Sequence, residues 1–138
     1  MPYRKVTMRT FRAEDEGLLF GVAKLAFADH DEGRTLATLE RDTVFVAELE
    51  GEPAGYVAVE ESGDALRIEQ LCVHPAHEAE GVGGQLLEWA EGYAISTGAA
   101  RLEIVVETGN DRAASFYRRR GFVAAGPDLL ALVLPQGA

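Results

Sequence analysis

The chain is poor in cysteine and in basic residues, and it lacks any long apolar run. A single cysteine, Cys72, in 138 residues excludes an internal disulfide and suits a reducing compartment, so a cytoplasmic protein is expected. Thirteen Lys and Arg against 23 Asp and Glu leave a formal charge of -10. Such a surface repels phosphate backbones, which argues against a general nucleic-acid binder and favours cationic partners such as amines or basic peptide ends. No apolar run approaches the ~18 residues of a membrane span, and Leu129–Leu134 is the longest expected to be buried, so no membrane partner is expected. Met1–Arg12 has no apolar core of the kind a secretion leader carries. Repeats, low-complexity tracts and linkers are also missing, so residues 1–138 are expected to form one domain.

What is present alternates between strand-like and helix-like patterns. Val6–Thr10 reads as a first strand. Ala13–Phe27 carries Leu18, Val22, Leu25 and Ala26 at helical spacing, with Glu14, Asp15 and Glu16 in a first turn that favours acids. Asp29–Gly33 breaks this helix, and Arg34–Glu40 is a short second one. Thr43–Glu48 and Gly55–Val59 are strands joined by a turn over Glu50–Pro53, followed by a strand over Leu66–Val73 that Pro75 stops. Gly81–Thr97 is a long helix with Val82, Leu86, Trp89, Ala90 and Tyr93 on its buried face and Gly98 as its C-terminal cap. Arg101–Glu107 is a near-continuous apolar strand. Asn110 or Asp111 caps a last helix ending before Gly121, and Phe122–Ala125 and Leu129–Leu134 close the chain as strands. The order β-α-α-β-β-β-α-β-α-β-β predicts an α/β (α+β) protein, a mixed sheet with helices on its faces.

Two segments carry chemistry. In Leu71–Leu87 a strand runs into a turn, and Gly81, Gly83 and Gly84 open an amphipathic helix. Glycine lets backbone N–H groups approach a ligand closely, and the first helical turn offers unpaired donors and a positive dipole end, which together suit a pyrophosphate. The bland alternative is that the glycines serve packing alone. In Asn110–Phe122, Ala113, Phe116 and Tyr117 share one helical face at i, i+3 and i+4. Cys72, His74, His77 and Glu78 do not form a recognised zinc pattern, and no metal is expected. Cys72 in a strand reads as a small core hydrophobe rather than a nucleophile.

The first segment resembles the acyl-CoA-binding motif of the GNAT N-acetyltransferases, in which Val-x-Pro precedes Arg/Gln-x-x-Gly-x-Gly/Ala and a Leu-rich helix. Val73, Pro75, Gly81, Gly83, Leu86 and Leu87 match. Glu78 stands where the family usually has Arg or Gln, Ala79 where a further glycine is common, and Glu80 adds a second negative charge. Unit charges about 6 Å apart repel by roughly 0.7 kcal/mol in water and about 3 kcal/mol at an effective dielectric near 20. The second segment resembles the family's Asn-x-x-Ala-x-x-Phe/Leu-Tyr-x-x-x-Gly-Phe through Asn110, Ala113, Phe116, Tyr117, Gly121 and Phe122. The resemblance spans Val6 to Leu134 in element order.

The resemblance implies the GNAT fold and an acetyl-CoA-dependent N-acetyltransferase that moves an acetyl group onto a small-molecule or peptide amine. The family's sheet splays between the strands matching Leu66–Val73 and Arg101–Glu107, and the cofactor arm lies in that gap. Leu71, Cys72, Val73, Ala79, Gly81, Val82, Gly83, Gly84, Asn110, Ala113 and Phe116 are then expected to bind acetyl-CoA. Tyr117 is the expected general acid. Glu69, on the strand face it shares with Leu71 and Val73, is the candidate base, with Glu107 or a water chain as alternatives. Arg112, Arg118 and Arg119 are candidates for the nucleotide phosphates, and Asp29, Asp31 and Glu32 for attracting a cationic amine. The competing reading is a catalytically silent GNAT-fold module that binds a ligand or partner. A homodimer through the apolar Leu129–Leu134 is a further expectation.

Overall fold

The computed structural model describes residues 3–26, 38–39, 43–106 and 109–136. Strands β1 (Thr7–Thr10), β2 (Thr43–Leu49), β3 (Glu52–Ser62), β4 (Ala65–Val73), β5 (Arg101–Val105), β6 (Val123–Gly126) and β7 (Leu129–Val133) form one mixed sheet in the order β1-β2-β3-β4-β5-β7-β6. Among the described residues the helices of two turns or more are α1 (Glu16–Ala26), α2 (Val82–Ser96) and α3 (Asp111–Arg118). The chain forms two compact units, one of residues 1–59 and 70–90, the other of residues 60–69 and 91–138. Of the second predicted helix only Thr38 and Leu39 are described, and both are helical, while Asp29, Asp31, Glu32 and Glu107 lie outside the described residues.

In the first unit, Glu50 (φ 52°) and Gly51 (φ 81°) form a two-residue hairpin turn that pairs Leu49 with Glu52. Pro53 is thus not part of the turn, as the sequence suggests, but a strand residue opposite Glu48. The register shifts there, since Ala47 faces Gly55, and the extra residue is Ala54. The Ala54 carbonyl accepts the His74 N–H at 2.7 Å, which ties the end of β4 to this bulge. Gly55 follows because no side chain fits: a Cβ would meet the Cys72 carbonyl oxygen at 2.5 Å.

The core of this unit joins Leu19, Val22 and Ala23 of α1 to Val44, Val46, Tyr56, Ala58 and Cys72, with Leu39 beside them. The α1 face therefore differs from the predicted one, for Leu18 and Leu25 are exposed. Asp15 contributes more than a favourable dipole. It is buried in the turn before α1, accepts the Arg12 N–H at 2.7 Å, and takes both Arg9 terminal nitrogens at 2.7 Å. The Arg9 guanidinium holds the Asp15 carboxyl below the usual carboxylate range. A depressed native pKa gives stability that is complete above the unfolded value near ~4 and is lost as pH falls through the native value. Asp15→Ala should destabilise by roughly 3 kcal/mol at pH 7, the low end for breaking a buried pair. In urea titrations this deficit should shrink as pH is lowered below about 4.

In the second unit, the parallel β4–β5 ladder runs from Ala65 opposite Arg101 to Ile68 opposite Ile104. Glu103, buried on β5, accepts from Arg67 at 3.1 Å and Arg101 at 2.9 Å. Burial pushes the Glu103 carboxyl up, and the two arginines outweigh it, holding the group below the usual carboxylate range. Strand β7 pairs with β5 on one side and β6 on the other, with Leu130 and Ala131 buried and Val133 79% exposed. It is not an open edge for a second copy.

Helix α2 begins at Val82 and ends in a cap centred on Gly98 (φ 79°). Ala99 N–H donates to the Ala94 carbonyl at 3.0 Å and Gly98 N–H to Ile95 at 3.1 Å, the double bond of a Schellman motif. Trp89, expected inside, is 42% exposed and rests edge-on against Phe45 with ring centres 5.7 Å apart. Val82, Leu86, Leu87, Ala90 and Ala94 form the buried face instead. No helix among the described residues is long and apolar enough to cross a membrane.

Candidate functional site

The first unit brings together the strand end Leu71–Val73, the turn 74–81 and the start of α2. On β4, Cys72 is buried between half-buried Leu71 and Val73, and Glu69 and Gln70 are both half-buried, so burial alternates over 71–73 and not at Glu69. Burial pushes the Cys72 thiol up to about 12, so it stays protonated and is a poor nucleophile. His74 turns its Nδ1 back to accept the Ala76 N–H at 3.0 Å, capping a short turn of helix over Pro75–His77. His77 Nδ1 meets Glu80 Oε1 at 2.7 Å. Among the described residues no group of three His, Cys, Asp or Glu is gathered as a metal would need.

The backbone then makes two left-handed excursions, at Ala79 (φ 64°) and Gly81 (φ 83°). At Gly81 a Cβ would meet the Tyr3 ring at 2.6 Å. The first backbone bond of α2 runs from Gln85 N–H to the Gly81 carbonyl at 3.2 Å. The N–H groups of Val82, Gly83 and Gly84 therefore have no acceptor within the helix, and no acidic residue stands in its first turn. These donors sit at the positive end of the α2 dipole, an arrangement suited to a phosphate.

Ala79 occupies a conformation that costs an L-residue about 1–2 kcal/mol, whereas glycine's extra chain entropy costs about 0.5–1 kcal/mol. Ala79→Gly should therefore stabilise the protein by about 0.5 kcal/mol. Chemical denaturation should show this as a small rise in midpoint with an unchanged slope.

In the second unit, Asn110 caps α3, its Oδ1 accepting the Ala113 N–H at 3.2 Å. Ala113 and Phe116 are half-buried and Tyr117 is buried on the same helix. The helix stops at Gly121 (φ 97°), where Phe122 N–H donates to the Tyr117 carbonyl at 3.3 Å and Gly121 N–H to Arg118 at 3.0 Å. This stop turns Phe122 inward, edge-on to Tyr117 with ring centres 5.5 Å apart, while Phe116 flanks Tyr117 at 5.1 Å. The Gly-Phe pair is thus the device that seats the tyrosine. Burial pushes the Tyr117 phenol above its ordinary value, with Arg120 opposing, so it remains a proton donor well past neutrality.

Arg120 lies over the Phe116 ring at 3.9 Å and donates to the Phe116 carbonyl at 3.0 Å. Arg119 donates to the Ser115 carbonyl at 3.3 Å, so it caps the helix end, a role the sequence reading did not assign. Arg112 and Arg118 are exposed. A cavity of about 250 Å³ in this unit is lined by Asn110, Asp111, Ala114, Arg118, Asp128 and Leu130, among others. Glu69 belongs to this unit too, on the strand that carries Arg67.

Sequence reasoning missed Gly55, Arg4 and Gln85. A glycine inside a strand pattern is a sign of close backbone approach, which could have exposed the first. The other two act through contacts about 80 residues apart in the chain, for which no local signal exists.

Residues 19–122 match the profile of the Acetyltransferase (GNAT) family. The streptothricin acetyltransferase of Streptomyces lavendulae is 32% identical over 103 residues, covering 73% of this chain and 54% of the relative. An uncharacterized N-acetyltransferase of Archaeoglobus fulgidus is 34% identical over 89 residues, covering 59% and 60%. The chain thus spans about half the length of the curated relatives it matches. The ribosomal-protein-S18-alanine N-acetyltransferase of Escherichia coli shares the fold at a TM-score of 0.85 and 21% identity, over 97% of each chain. So does the PaiA N-acetyltransferase of Thermoplasma acidophilum, solved with coenzyme A, at 0.80 and 18%, over 94% of this chain and 99% of that one.

Proposed function

Because the chain belongs to the GNAT acetyltransferase family, we propose that it is an acetyl-CoA-dependent N-acetyltransferase acting on an amine. The observation that carries this reading is the start of α2. The amides of Val82, Gly83 and Gly84 are free of intrahelical acceptors, and the preceding turn is already in the left-handed conformation that presents them. In this reading those amides hold the diphosphate of acetyl-CoA, and Ala79 and Gly81 shape the turn.

Leu71, Cys72 and Val73 are assigned to the cofactor arm through their backbone, because the β4–β5 ladder ends at Ile68 and main-chain groups further along β4 are the ones an added extended chain would use. One of those N–H groups polarises the thioester carbonyl. Asn110, Ala113 and Phe116 are assigned to the same ligand from α3, Asn110 through whatever capacity its cap leaves. Tyr117 is assigned the proton that meets the departing thiolate, from its place on the α3 face it shares with Ala113 and Phe116. Glu69 is assigned the proton of the attacking amine, directly or through water. Its support is its place two residues before Leu71, on the same strand face.

The acceptor is an amine, small or peptidic. One relative carries the name streptothricin acetyltransferase, and one fold neighbour acts on an alanine of a ribosomal protein. The net charge of -10 favours a cationic acceptor. The cytoplasm is the compartment this reading takes. Incubating the protein with acetyl-CoA and a panel of polyamines, amino acids, aminoglycosides and peptide N-termini should release free CoA thiol with at least one acceptor. Each active acceptor should gain the mass of one acetyl group. Binding of acetyl-CoA without transfer to any of them would favour the silent module instead.

A further inference from the structure

The turn assigned to the diphosphate has no cation of its own. No lysine or arginine occurs between Arg67 and Arg101, while Glu78 and Glu80 both stand in the turn. The structure supplies a cation from 76 positions earlier: Arg4 bridges two carboxylates, with Nη1 3.7 Å from Glu80 Oε2 and Nη2 3.6 Å from the exposed Glu50 Oε1. The other oxygen of Glu80 is taken by His77, so both oxygens of Glu80 are engaged.

Arg4 is held there by main-chain bonds that do not depend on its side chain. Its N–H donates to the Glu80 carbonyl at 2.9 Å. Gln85, in the first turn of α2, donates from Nε2 to the Arg4 carbonyl at 2.7 Å and accepts the Val6 N–H on Oε1 at 3.0 Å. The same amide nitrogen reaches the Gly81 carbonyl at 3.2 Å, and the Tyr3 ring covers Gly81. Residues 3–6 are thereby pinned to the turn along its length.

A half-buried Arg–Glu pair held only at 3.7 Å, with the arginine shared with Glu50, adds little to folding, so its position calls for another account. We propose that Arg4 is the positioning and charge-cancelling cation of the diphosphate turn. It neutralises Glu80 so that the amides of Val82–Gly84 can receive two phosphates without a carboxylate opposing them. This rests on the reading that the turn binds acetyl-CoA. It assigns to the N-terminal arm the electrostatic part that the family's Arg or Gln, here Glu78, would otherwise take.

The test is a double-mutant cycle read by calorimetric titration with CoA, using wild type, Arg4→Met, Glu80→Gln and the double variant. Arg4→Met keeps the backbone bonds and removes the charge. It should weaken CoA binding about tenfold at low salt, by an amount that shrinks toward twofold at high ionic strength. It should leave kcat at saturating acetyl-CoA and the melting temperature unchanged, and Arg4→Lys should restore most of the affinity. Glu80→Gln should bind CoA more tightly, and in that background Arg4→Met should have less than a twofold effect. Equal losses in both backgrounds, or no loss in either while wild type binds CoA, would overturn the assignment of Arg4 alone. A wild-type protein with no affinity for CoA would remove the functional reading and this inference together.

Discussion

Tyr117→Phe is expected to lower kcat by about two to three orders of magnitude while leaving the KM for acetyl-CoA within about threefold. The substitution removes one oxygen and keeps the ring, so the edge contacts with Phe116 and Phe122 survive and the fold should be unaffected. What is lost is the proton that meets the thiolate, and general acid catalysis is worth about 10²–10⁴ in rate. Steady-state kinetics of thiol release checks it. Burial holds the phenol protonated beyond its ordinary range, so the wild-type rate should show no loss assignable to Tyr117 ionisation up to pH ~10. An undiminished kcat would take Tyr117 out of the mechanism and leave it as packing.

Gly55→Ala should be the most damaging single methyl in the first unit. The new Cβ would sit 2.5 Å from the Cys72 carbonyl oxygen, 3.1 Å from a Leu86 methyl and 3.3 Å from Val73 Cα. Two of the three are main chain or fixed by it, so relief requires β3 and β4 to part where the bulge at Ala54 holds His74. Overpacking of this kind costs about 3 kcal/mol, which for a chain of this size lowers Tm by roughly 10 °C. The effect on ligand should exceed the effect on folding, because the strand that moves is the one assigned to the cofactor arm. CoA affinity of the folded variant should fall more than tenfold. A wild-type Tm would mean that β4 is not held so close to β3.

Both residues show how far sequence alone reaches. Tyr117 was legible because everything that seats it is local. Asn110 caps the helix, the i, i+3, i+4 face follows from helical pitch, and Gly121-Phe122 stops the turn and folds back on the ring. The glycines at 81, 83 and 84 were legible for the same reason. Gly55 is different, since its constraint comes from a strand 17 positions away (72 less 55). Arg4 and Gln85 were invisible because nothing near either residue signals the other.

The misread faces have a separate cause. The segment Glu16–Ala26 is apolar on several sides, so both Leu18/Val22/Leu25 and Leu19/Val22/Ala23 satisfy helical spacing, and only the facing strands choose between them. Trp89 was expected inside because it falls on the face that helical spacing draws through Val82, Leu86 and Tyr93. The α2 face is instead filled by smaller side chains, which leaves the indole to cover Phe45 from the rim. Arg119, a candidate for the nucleotide phosphates in the sequence, turns back onto the helix end, as Arg120 does.

The account stands on the free amides at the start of α2. The most direct measurement follows the backbone amide resonances of ¹⁵N-labelled protein during titration with acetyl-CoA. Val82, Gly83 and Gly84 should show the largest saturable shifts, with a midpoint well below millimolar. Amides that stay unmoved at millimolar acetyl-CoA, or saturable shifts that spare α2 altogether, would contradict it.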